Sequence, residues 1–137
     1  MGECQFCSAV AGSLPVESVW SSDEAFAFLD HRPVFKGHVL VVPRTHVITL
    51  GDLPAPAVGP FFTVVQQLSV AVETGLSAGG TFVALNNRVS QSVPHLHVHV
   101  VPRTKGDGLR GFFWPRTKYA SDEEAAEYAA RIRDALG

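Results

Sequence analysis

Histidine alternates with apolar residues in one short run, His95 to Val101, and this pattern predicts a β-strand. Side chains of a strand point alternately to its two faces. The three histidines therefore share one face and the apolar residues between them enter a core: His95, His97 and His99 on one side, and Leu96, Val98 and Val100 on the other. A solvent-exposed strand face usually carries Thr, Lys or Glu, so three imidazoles in a row indicate a functional site.

Two chemistries use such an arrangement of imidazoles. Alternating histidines on a strand can ligate zinc. Alternatively, one neutral imidazole attacks a substrate while its neighbours orient it or bind the developing charge. A free imidazole has a pKa of about 6.5, so it is mostly uncharged and nucleophilic near neutrality. The pattern by itself leaves both chemistries open.

The rest of the chain predicts a single α+β domain with an antiparallel sheet of about five strands, one long helix and a C-terminal helix. Four further strands are predicted at Val16–Ser21, Ala25–Leu29, His38–Pro43 and Thr81–Leu85. Prolines at 54, 56 and 60 predict a loop to about residue 57, and helical spacing follows Pro60. That helical face consists of Phe61, Val64, Val65, Leu68, Val72 and Leu76. Ser121 and Glu124 form a predicted capping box for a terminal helix to about Leu136.

Composition limits the possible partners. The chain has 137 residues and a net charge of −2, so no basic surface indicates a nucleic acid partner. The longest apolar runs, such as Val39 to Val42, are too short to span a bilayer, which predicts no membrane partner. The first residues lack the pattern of a signal peptide, and we therefore expect a cytoplasmic location.

Cys4 and Cys7 are the two cysteines of the chain and form a C-x-x-C pair. They can be a redox pair, half of a metal site, or neither. A redox pair usually opens a helix after a strand, and no strand is predicted before Cys4.

Taken together, these motifs resemble the histidine triad superfamily. The resemblance rests on the alternating histidines preceded by Gln91 to Pro94, on Phe28 to Asp30 followed by Gly37 to Pro43, and on Pro102-Arg103. It covers about residues 4–104 and is strongest to the bacterial diadenosine polyphosphate hydrolase-like and fragile histidine triad-like branches. It implies the fold of that superfamily and hydrolysis or transfer of nucleotides at the α-phosphate.

The resemblance also implies roles for individual residues. His97 attacks the α-phosphorus and forms a covalent nucleotidyl-histidine, His99 contacts a non-bridging oxygen, and His38 supports the triad. The residues implied to contact phosphate oxygens or the leaving group are Asn86, Gln91 and Ser92. Asp30 accepts hydrogen bonds from the ribose. One departure concerns Ser90, because the family often has Gly immediately before the glutamine.

A structural zinc ion is the cofactor that the resemblance implies, with Cys4, Cys7, His46 and His95 as its four ligands. A homodimer is implied as well. Because purines bind between apolar surfaces, Phe6, Phe28 and Leu29 are candidates for the base pocket. The dense apolar run from Phe112 to Trp114 needs a partner surface, in this domain or across a dimer.

Other functions stay open at this point. The alternatives are a nucleoside phosphoramidase, a zinc hydrolase in which all three triad histidines bind metal, and a non-catalytic nucleotide-binding adaptor. The sequence does not decide the substrate, or whether the acceptor is water or phosphate. Leaving-group contacts are expected around Arg103, Lys105 and Arg110, and His31 either lines the ribose pocket or faces water.

Overall fold

The computed structural model describes residues 4–109 and 116–136. Within these residues the elements are α1 (Gln5–Ala11), β1 (Ser18–Ser21), β2 (Ala25–Leu29), β3 (Val39–Pro43), a short 3-10 helix (Leu50–Asp52), α2 (Ala55–Gly75), β4 (Gly80–Ala84), β5 (Val98–Arg103) and α3 (Asp122–Leu136). The chain divides into two compact units, Met1–Asp107 and Gly108–Gly137. The predicted core of residues 4–104 corresponds to the first unit, and α3 belongs to the second.

The five strands form one antiparallel sheet in the order β1-β2-β3-β5-β4. All residues of β3 are buried, as expected for a β-branched strand at the centre of a sheet. β3 and β5 pair so that Leu40 lies opposite His99 and Val41 opposite Val98. The predicted α+β fold with five antiparallel strands is confirmed.

Helix α2 covers one face of this sheet. Its buried residues form the larger core cluster with the inward side chains of the strands: Phe61, Val64, Val65, Leu68 and Val72 from α2, and Ala25, Ala27, Val39, Val41, Leu96, Val98 and Val100 from the sheet side. By length and composition alone α2 could cross a membrane, but its apolar face packs on the sheet instead. The predicted burial of Leu96, Val98 and Val100 is confirmed.

A smaller apolar cluster lies on the opposite face of the sheet, where α1 packs. It contains Phe6 and Ala9 of α1 together with Phe26, Phe28, Leu40 and Val42 of the strands. Since Leu40 pairs with His99, the triad histidines lie on the face that α1 covers. The fold therefore separates a mainly apolar side, covered by α2, from a side that carries the imidazoles.

The prediction for the start of the long helix was wrong. α2 begins at Ala55, so two prolines lie within it. Pro56 fits because the first N–H groups of a helix have no intrahelical partner. Pro60 lacks the donor for one intrahelical bond, and the burial of the apolar face compensates for this loss. Leu76 was also predicted on the buried face, but it follows the last turn and is 52% exposed.

The strand bounds differ at several ends. β1 begins at Ser18, two residues later than predicted, and its register with β2 shifts between Ser18 and Trp20. β5 begins at Val98, so the predicted strand is shorter at its start, and His95 and His97 lie in the segment that leads into it. The N–H of Leu96 bonds to the carbonyl of Val47 and holds this segment in place.

Gly37 provides the turn that leads into His38 and β3. Its φ is +100°, a left-handed backbone that favours glycine, and an added Cβ would lie 2.3 Å from Leu76 Cδ1. The turn therefore positions His38, whose ring contacts His99 from a neighbouring strand.

In the second unit, α3 begins as predicted near Ser121, whose hydroxyl accepts a hydrogen bond from the N–H of Glu124 at 3.1 Å. The Glu124 carboxylate accepts from the N–H of Ala120 at 2.8 Å. The cap is therefore close to the predicted capping box, although Glu124 reaches one residue further back. The predicted apolar run Phe112–Trp114, and Arg110, lie outside the described residues.

Candidate active site and metal centre

His97 lies at the centre of the candidate site and is 4% exposed. Its Nδ1 is 2.7 Å from the carbonyl oxygen of His95. Because a carbonyl only accepts hydrogen bonds, Nδ1 must carry the proton and donate. The other ring nitrogen, Nε2, then has a free lone pair. Backbone geometry alone therefore selects the tautomer in which Nε2 of His97 is a nucleophile.

His38 and His99 form a second hydrogen-bonded pair beside it. The N–H of Val34 donates to Nδ1 of His38 at 3.1 Å, so this nitrogen is an acceptor. Nε2 of His38 consequently carries the proton and donates to Nδ1 of His99 at 2.9 Å. His99 must then hold its own proton on Nε2. The chain of bonds thus makes His99 a hydrogen-bond donor at its outer nitrogen.

Asp30 completes this chain of polar groups. Its Oδ2 lies 3.8 Å from Nε2 of His38, and its Oδ1 accepts from the N–H of Arg32 at 2.9 Å. Asp30, His38 and His99 are close enough together to hold a metal ion. However, the Val34 N–H occupies the lone pair of Nδ1 in His38, which forces the proton onto Nε2. A neutral His38 therefore has no lone pair to offer a cation here, and the three residues form a relay of hydrogen bonds.

Burial keeps both imidazoles of this relay neutral. The pKa of His99 is lowered to about 4, by burial first and by nearby His97 and His38 next, while Asp30 opposes the shift. The pKa of His38 is also lowered by burial, and Asp30 opposes this effect. Near neutral pH both imidazoles of the relay are uncharged, so Nε2 of His99 donates its hydrogen bond from a neutral ring.

Phe6 of α1 packs against these rings. Its ring lies edge-on to His97, with centroids 5.0 Å apart and an interplanar angle of 80°. It also contacts His95 at 6.0 Å and Phe28 at 5.5 Å. Phe6 and Phe28 are 7% and 4% exposed, whereas Leu29 is 36% exposed. Of the three predicted base-pocket residues, only Leu29 offers an accessible side chain.

The loop before the triad carries the predicted phosphate contacts. Gln91 binds backbone at both ends of its amide, since Oε1 accepts from the N–H of Arg88 and Nε2 donates to the carbonyl of Ile48. Asn86 donates to the carbonyl of Ser90 at 3.2 Å, and Ser92 is exposed. The loop therefore uses Gln91 and Asn86 to hold its own shape, and one N–H of each amide remains for a substrate oxygen.

Ser90 has a φ of +63° and Arg88 a φ of +71°. These left-handed conformations explain the preference for glycine at position 90, since glycine adopts them without strain. Ser90 adopts this backbone conformation as well, at the cost of strain that a glycine would not have.

A second cluster of ligand atoms lies on the other side of His95. Nδ1 of His95 is 3.2 Å from Nδ1 of His46, 3.4 Å from Sγ of Cys4 and 3.5 Å from Sγ of Cys7. Sγ of Cys7 is 3.3 Å from Nδ1 of His46. Zinc–nitrogen bonds of about 2.0–2.1 Å and zinc–sulfur bonds of about 2.3 Å in a tetrahedron separate ligand atoms by roughly 3.3–3.8 Å. The four residues therefore fit a tetrahedral zinc ion.

The surroundings of this cluster support the same interpretation. Nε2 of His95 donates to the carbonyl of Pro43 at 2.9 Å, so its Nδ1 lone pair points to the cluster, as in metal-bound histidines. Burial raises the pKa of the Cys7 thiol, and so does neighbouring Cys4. A bound cation would reverse that effect by favouring the thiolates. His97 belongs to neither group of described residues that could hold a metal.

Other predicted residues lie apart from these contacts. The side chain of His31 is 86% exposed, so it faces water. Arg103 binds Asp107 through Nε at 2.7 Å and through a second guanidinium nitrogen at 3.1 Å. Lys105 is exposed. The positive charge of Arg103 is thus directed at Asp107 within its own loop.

Sequence reasoning missed three features of the site. They are the edge-on contact of Phe6 with His97, the Val34 N–H that sets the tautomer of His38, and the hydrogen bond from Gln91 to the Ile48 carbonyl. The first and third join residues far apart in sequence, and the second depends on the shape of the loop between Val34 and His38. Only the two cysteines that flank Phe6 offered a signal, because a metal site at Cys4 and Cys7 would bring α1 to the triad.

A family profile described as "HIT domain" matches residues 12–106. Among curated relatives, "Protein hit" of Bacillus subtilis is 35% identical over 114 residues, which cover 81% of this chain and 78% of that protein. "Adenylylsulfatase HINT3" of Arabidopsis thaliana is 27% identical over 96% of this chain and 68% of its own length. "Bis(5'-nucleosyl)-tetraphosphatase [asymmetrical]" of Schizosaccharomyces pombe is 37% identical over 59% of this chain and 46% of its own.

Solved structures agree with the fold. A HIT family protein from Bacillus subtilis superposes with a TM-score of 0.88 at 30% identity and covers 99% of both chains. A zinc-bound histidine triad family protein from Mycobacterium smegmatis superposes with a TM-score of 0.74 at 33% identity and covers 97% of both. Both are similar to this chain over nearly its whole length.

Proposed function

Since the chain belongs to the HIT domain family, we propose that it is a nucleotide hydrolase or transferase. Its substrates are dinucleoside polyphosphates or related nucleotidyl compounds, and cleavage occurs at the α-phosphate. One observation carries this proposal: the bond from Nδ1 of His97 to the His95 carbonyl leaves Nε2 of this buried ring as the attacking atom. The named activities of two relatives, a tetraphosphatase and an adenylylsulfatase, both break a bond at a nucleotide phosphate.

In the first step, the lone pair of His97 Nε2 forms a bond to the α-phosphorus while the bond to the leaving oxygen breaks. The leaving group departs with that electron pair, and His97 becomes a nucleotidyl-imidazolium. Nδ1 keeps its proton and its bond to the His95 carbonyl, which stabilises the positive ring. The outer N–H of His99 donates to a non-bridging oxygen, where negative charge increases.

In the second step, water attacks the same phosphorus and the phosphorus–nitrogen bond breaks. The electron pair returns to Nε2 of His97, the nucleoside monophosphate leaves, and the proton of the water passes to solvent. Phosphate as the acceptor in place of water would give a transferase. His38 takes no part in bond making, but its donated hydrogen bond maintains the tautomer of His99.

The remaining binding groups follow from their positions. We assign the ribose hydroxyls to Asp30, whose carboxylate lies beside His38. We assign contacts with phosphate oxygens or the leaving group to Asn86, Gln91 and Ser92. Their contacts use the N–H and O–H groups that do not already donate a hydrogen bond within the loop. The base pocket stays a prediction: Phe6 and Phe28 lie on the same face of the sheet as the triad, whereas Leu29 pairs with Val39 of the α2-facing core and lies on the other face.

We also propose a structural zinc ion bound by Cys4, Cys7, His46 and His95. The tetrahedral fit of the ligand atoms and the zinc-bound relative support it. Four protein ligands leave no open coordination position, so the ion would hold α1 and His95 in place without contacting substrate. The alternative of a catalytic metal on the three triad histidines is not supported, because among the described residues His97 belongs to neither group whose ligand atoms lie close enough together to hold a metal.

A homodimer is proposed through the edge of the sheet. Of the described strands, β4 pairs with β5 alone, so its other edge can pair with a second copy. Val83 on β4 is an exposed apolar residue of this edge strand. Light scattering after size exclusion measures the mass directly. A cytoplasmic location and the lack of nucleic acid and membrane partners stay predictions.

The test is a turnover panel at matched concentrations of a diadenosine polyphosphate, a nucleoside phosphoramidate and adenosine phosphosulfate. We expect turnover of at least one, fastest for the polyphosphate, and none by His97→Ala that still binds nucleotide. Preference for the phosphoramidate would make the chain a phosphoramidase. Tight binding without turnover of any substrate by the wild type would instead make it an adaptor, and would overturn the proposal.

A further inference from the structure

The cysteines of the proposed zinc site are open to solvent on one side. A cleft of about 540 Å³ lies against Cys4, Cys7 and His46, and its other lining residues are Ser8, Ala11 and Ser13. These other side chains are small, so none of them covers the sulfurs. Both cysteines are half-buried and His46 is exposed, whereas His95 is fully buried. A small solute can therefore reach the two thiols from the cleft, but not the buried histidine.

Both sulfurs lie on the same side of the first turn of α1. Cys4 is the N-cap of this helix, and its Sγ accepts a hydrogen bond from the N–H of Cys7 at 3.4 Å. The ligand atoms of the cluster, the two sulfurs included, all lie within 4.8 Å of one another. A disulfide requires a sulfur–sulfur bond of about 2.05 Å between residues whose Cα atoms are close. Residues three positions apart in one turn are neighbours, so the bond can close by rotation of the two side chains.

Zinc and a disulfide would join different parts of the chain at this place. A zinc ion would join the first turn of α1 to His46, which follows β3, and to His95, which precedes β5. A disulfide between Cys4 and Cys7 would join two residues of the same turn. Closing so short a loop constrains the unfolded chain little, whereas zinc bound across three segments adds its binding free energy to folding. Oxidation thus replaces a tertiary link by a local one.

The other contacts of α1 do not depend on the sulfurs. Phe6 and Ala9 are buried in the smaller apolar cluster, and Nε2 of His95 donates to the carbonyl of Pro43 at 2.9 Å. These contacts hold α1 and His95 near each other after the ion has left. The oxidised protein should therefore stay folded with a lower stability, and its ligands should stay close enough to bind zinc again after reduction.

We propose that Cys4 and Cys7 form a reversible thiol–disulfide switch that releases the zinc ion, with a peroxide as the oxidant. This inference rests on the proposed zinc site. One thiolate attacks an oxygen of hydrogen peroxide, the oxygen–oxygen bond breaks, and a sulfenic acid and hydroxide form. The second thiolate attacks that sulfur and displaces another hydroxide. Two thiolates, one peroxide and two protons thus become one disulfide and two waters, and Zn²⁺ leaves because a disulfide offers no thiolate ligand.

The test treats zinc-loaded protein, freed of unbound zinc, with hydrogen peroxide. A metal indicator should report release of about one zinc ion per chain, and mass spectrometry should show an equal amount of Cys4–Cys7 disulfide. The oxidised protein should melt at a lower temperature than the zinc-bound protein, and a dithiol reductant with added zinc should restore the metal. Zinc that stays bound, sulfinate or sulfonate in place of the disulfide, or an unchanged melting temperature would overturn the inference.

Cys7→His is the matched control. One cysteine and three histidines still offer zinc four ligands, but they cannot form this disulfide. We expect the variant to keep its zinc at a peroxide concentration that empties the wild type, and release at the wild-type rate would overturn the inference. The wild-type measurements stand alone if this variant does not fold. A wild type that binds no zinc would reject the proposed zinc site itself, whereas zinc that peroxide does not release would reject the switch alone.

Discussion

Acid should destabilise this protein through His99, because its buried imidazole resists protonation in the folded state. The pKa of His99 falls from 6.5 to about 4 on folding, through burial first and through His97 and His38 next. Between these two values the unfolded chain binds a proton at His99 that the folded chain does not bind. Stability therefore rises with pH across this window, is complete above about pH 6.5, and is lost as pH falls toward 4.

The size of the effect follows from the two pKa values. With 6.5 in the unfolded chain and about 4 in the fold, His99 lowers the free energy of unfolding by about 1.4 kcal/mol at pH 5.5. At pH 4.5 the loss is about 2.5 kcal/mol. Such a loss is a large part of the stability of an ordinary domain.

Urea unfolding of the wild type and of His99→Gln at pH 7.5, 5.5 and 4.5 measures this contribution. Glutamine does not titrate, so the variant should lose about 2.5 kcal/mol less between pH 7.5 and pH 4.5. Both proteins keep Cys4, Cys7, His46 and His95, so acid release of a metal affects them equally. If the free energy of unfolding changed equally with pH in the two proteins, the claim that burial keeps His99 neutral would be refuted.

Three further outcomes are expected. Ser90→Gly should raise the free energy of unfolding by about 0.5–1 kcal/mol in urea, since its φ of +63° strains a serine; an unchanged or lower stability would contradict this. Gly37→Ala should lower it by about 1–3 kcal/mol, since φ is +100° and the new Cβ meets Leu76; an unchanged thermal midpoint would contradict it. Cys7→Ser should bind zinc at least about tenfold more weakly in a chelator competition and melt at a lower temperature; equal zinc affinity would remove Cys7 from the ligand set.

The periodic part of the fold was predictable from sequence. Alternation in the triad segment placed Leu96, Val98 and Val100 in the core, and helical spacing identified the buried face of α2. These predictions succeed because burial follows the period of an element, whatever its neighbours are. The start of α2 at Ala55 was missed, because burial against the sheet outweighed the local effect of Pro60.

The atoms of the site were less predictable. Which nitrogen of each imidazole carries a proton depends on the Val34 N–H and on the carbonyls of His95 and Pro43. The first two groups lie four and two residues from their rings and depend on the exact local backbone conformation, whereas the Pro43 carbonyl reaches His95 only through tertiary structure. The left-handed backbone of Ser90 was not predictable either. The sequence showed a serine where the family often has glycine, but it did not show the conformation of that residue.

The central claim is that Nε2 of His97 bonds to phosphorus during turnover. Rapid acid-free quenching of the wild type with radiolabelled diadenosine polyphosphate, followed by peptide mass spectrometry under mildly basic conditions, tests it directly. We predict a nucleotidyl group on His97 that forms and decays at rates consistent with kcat, and none in His97→Ala. A nucleotidyl group on another residue, or labelled His97→Ala protein, would contradict the account.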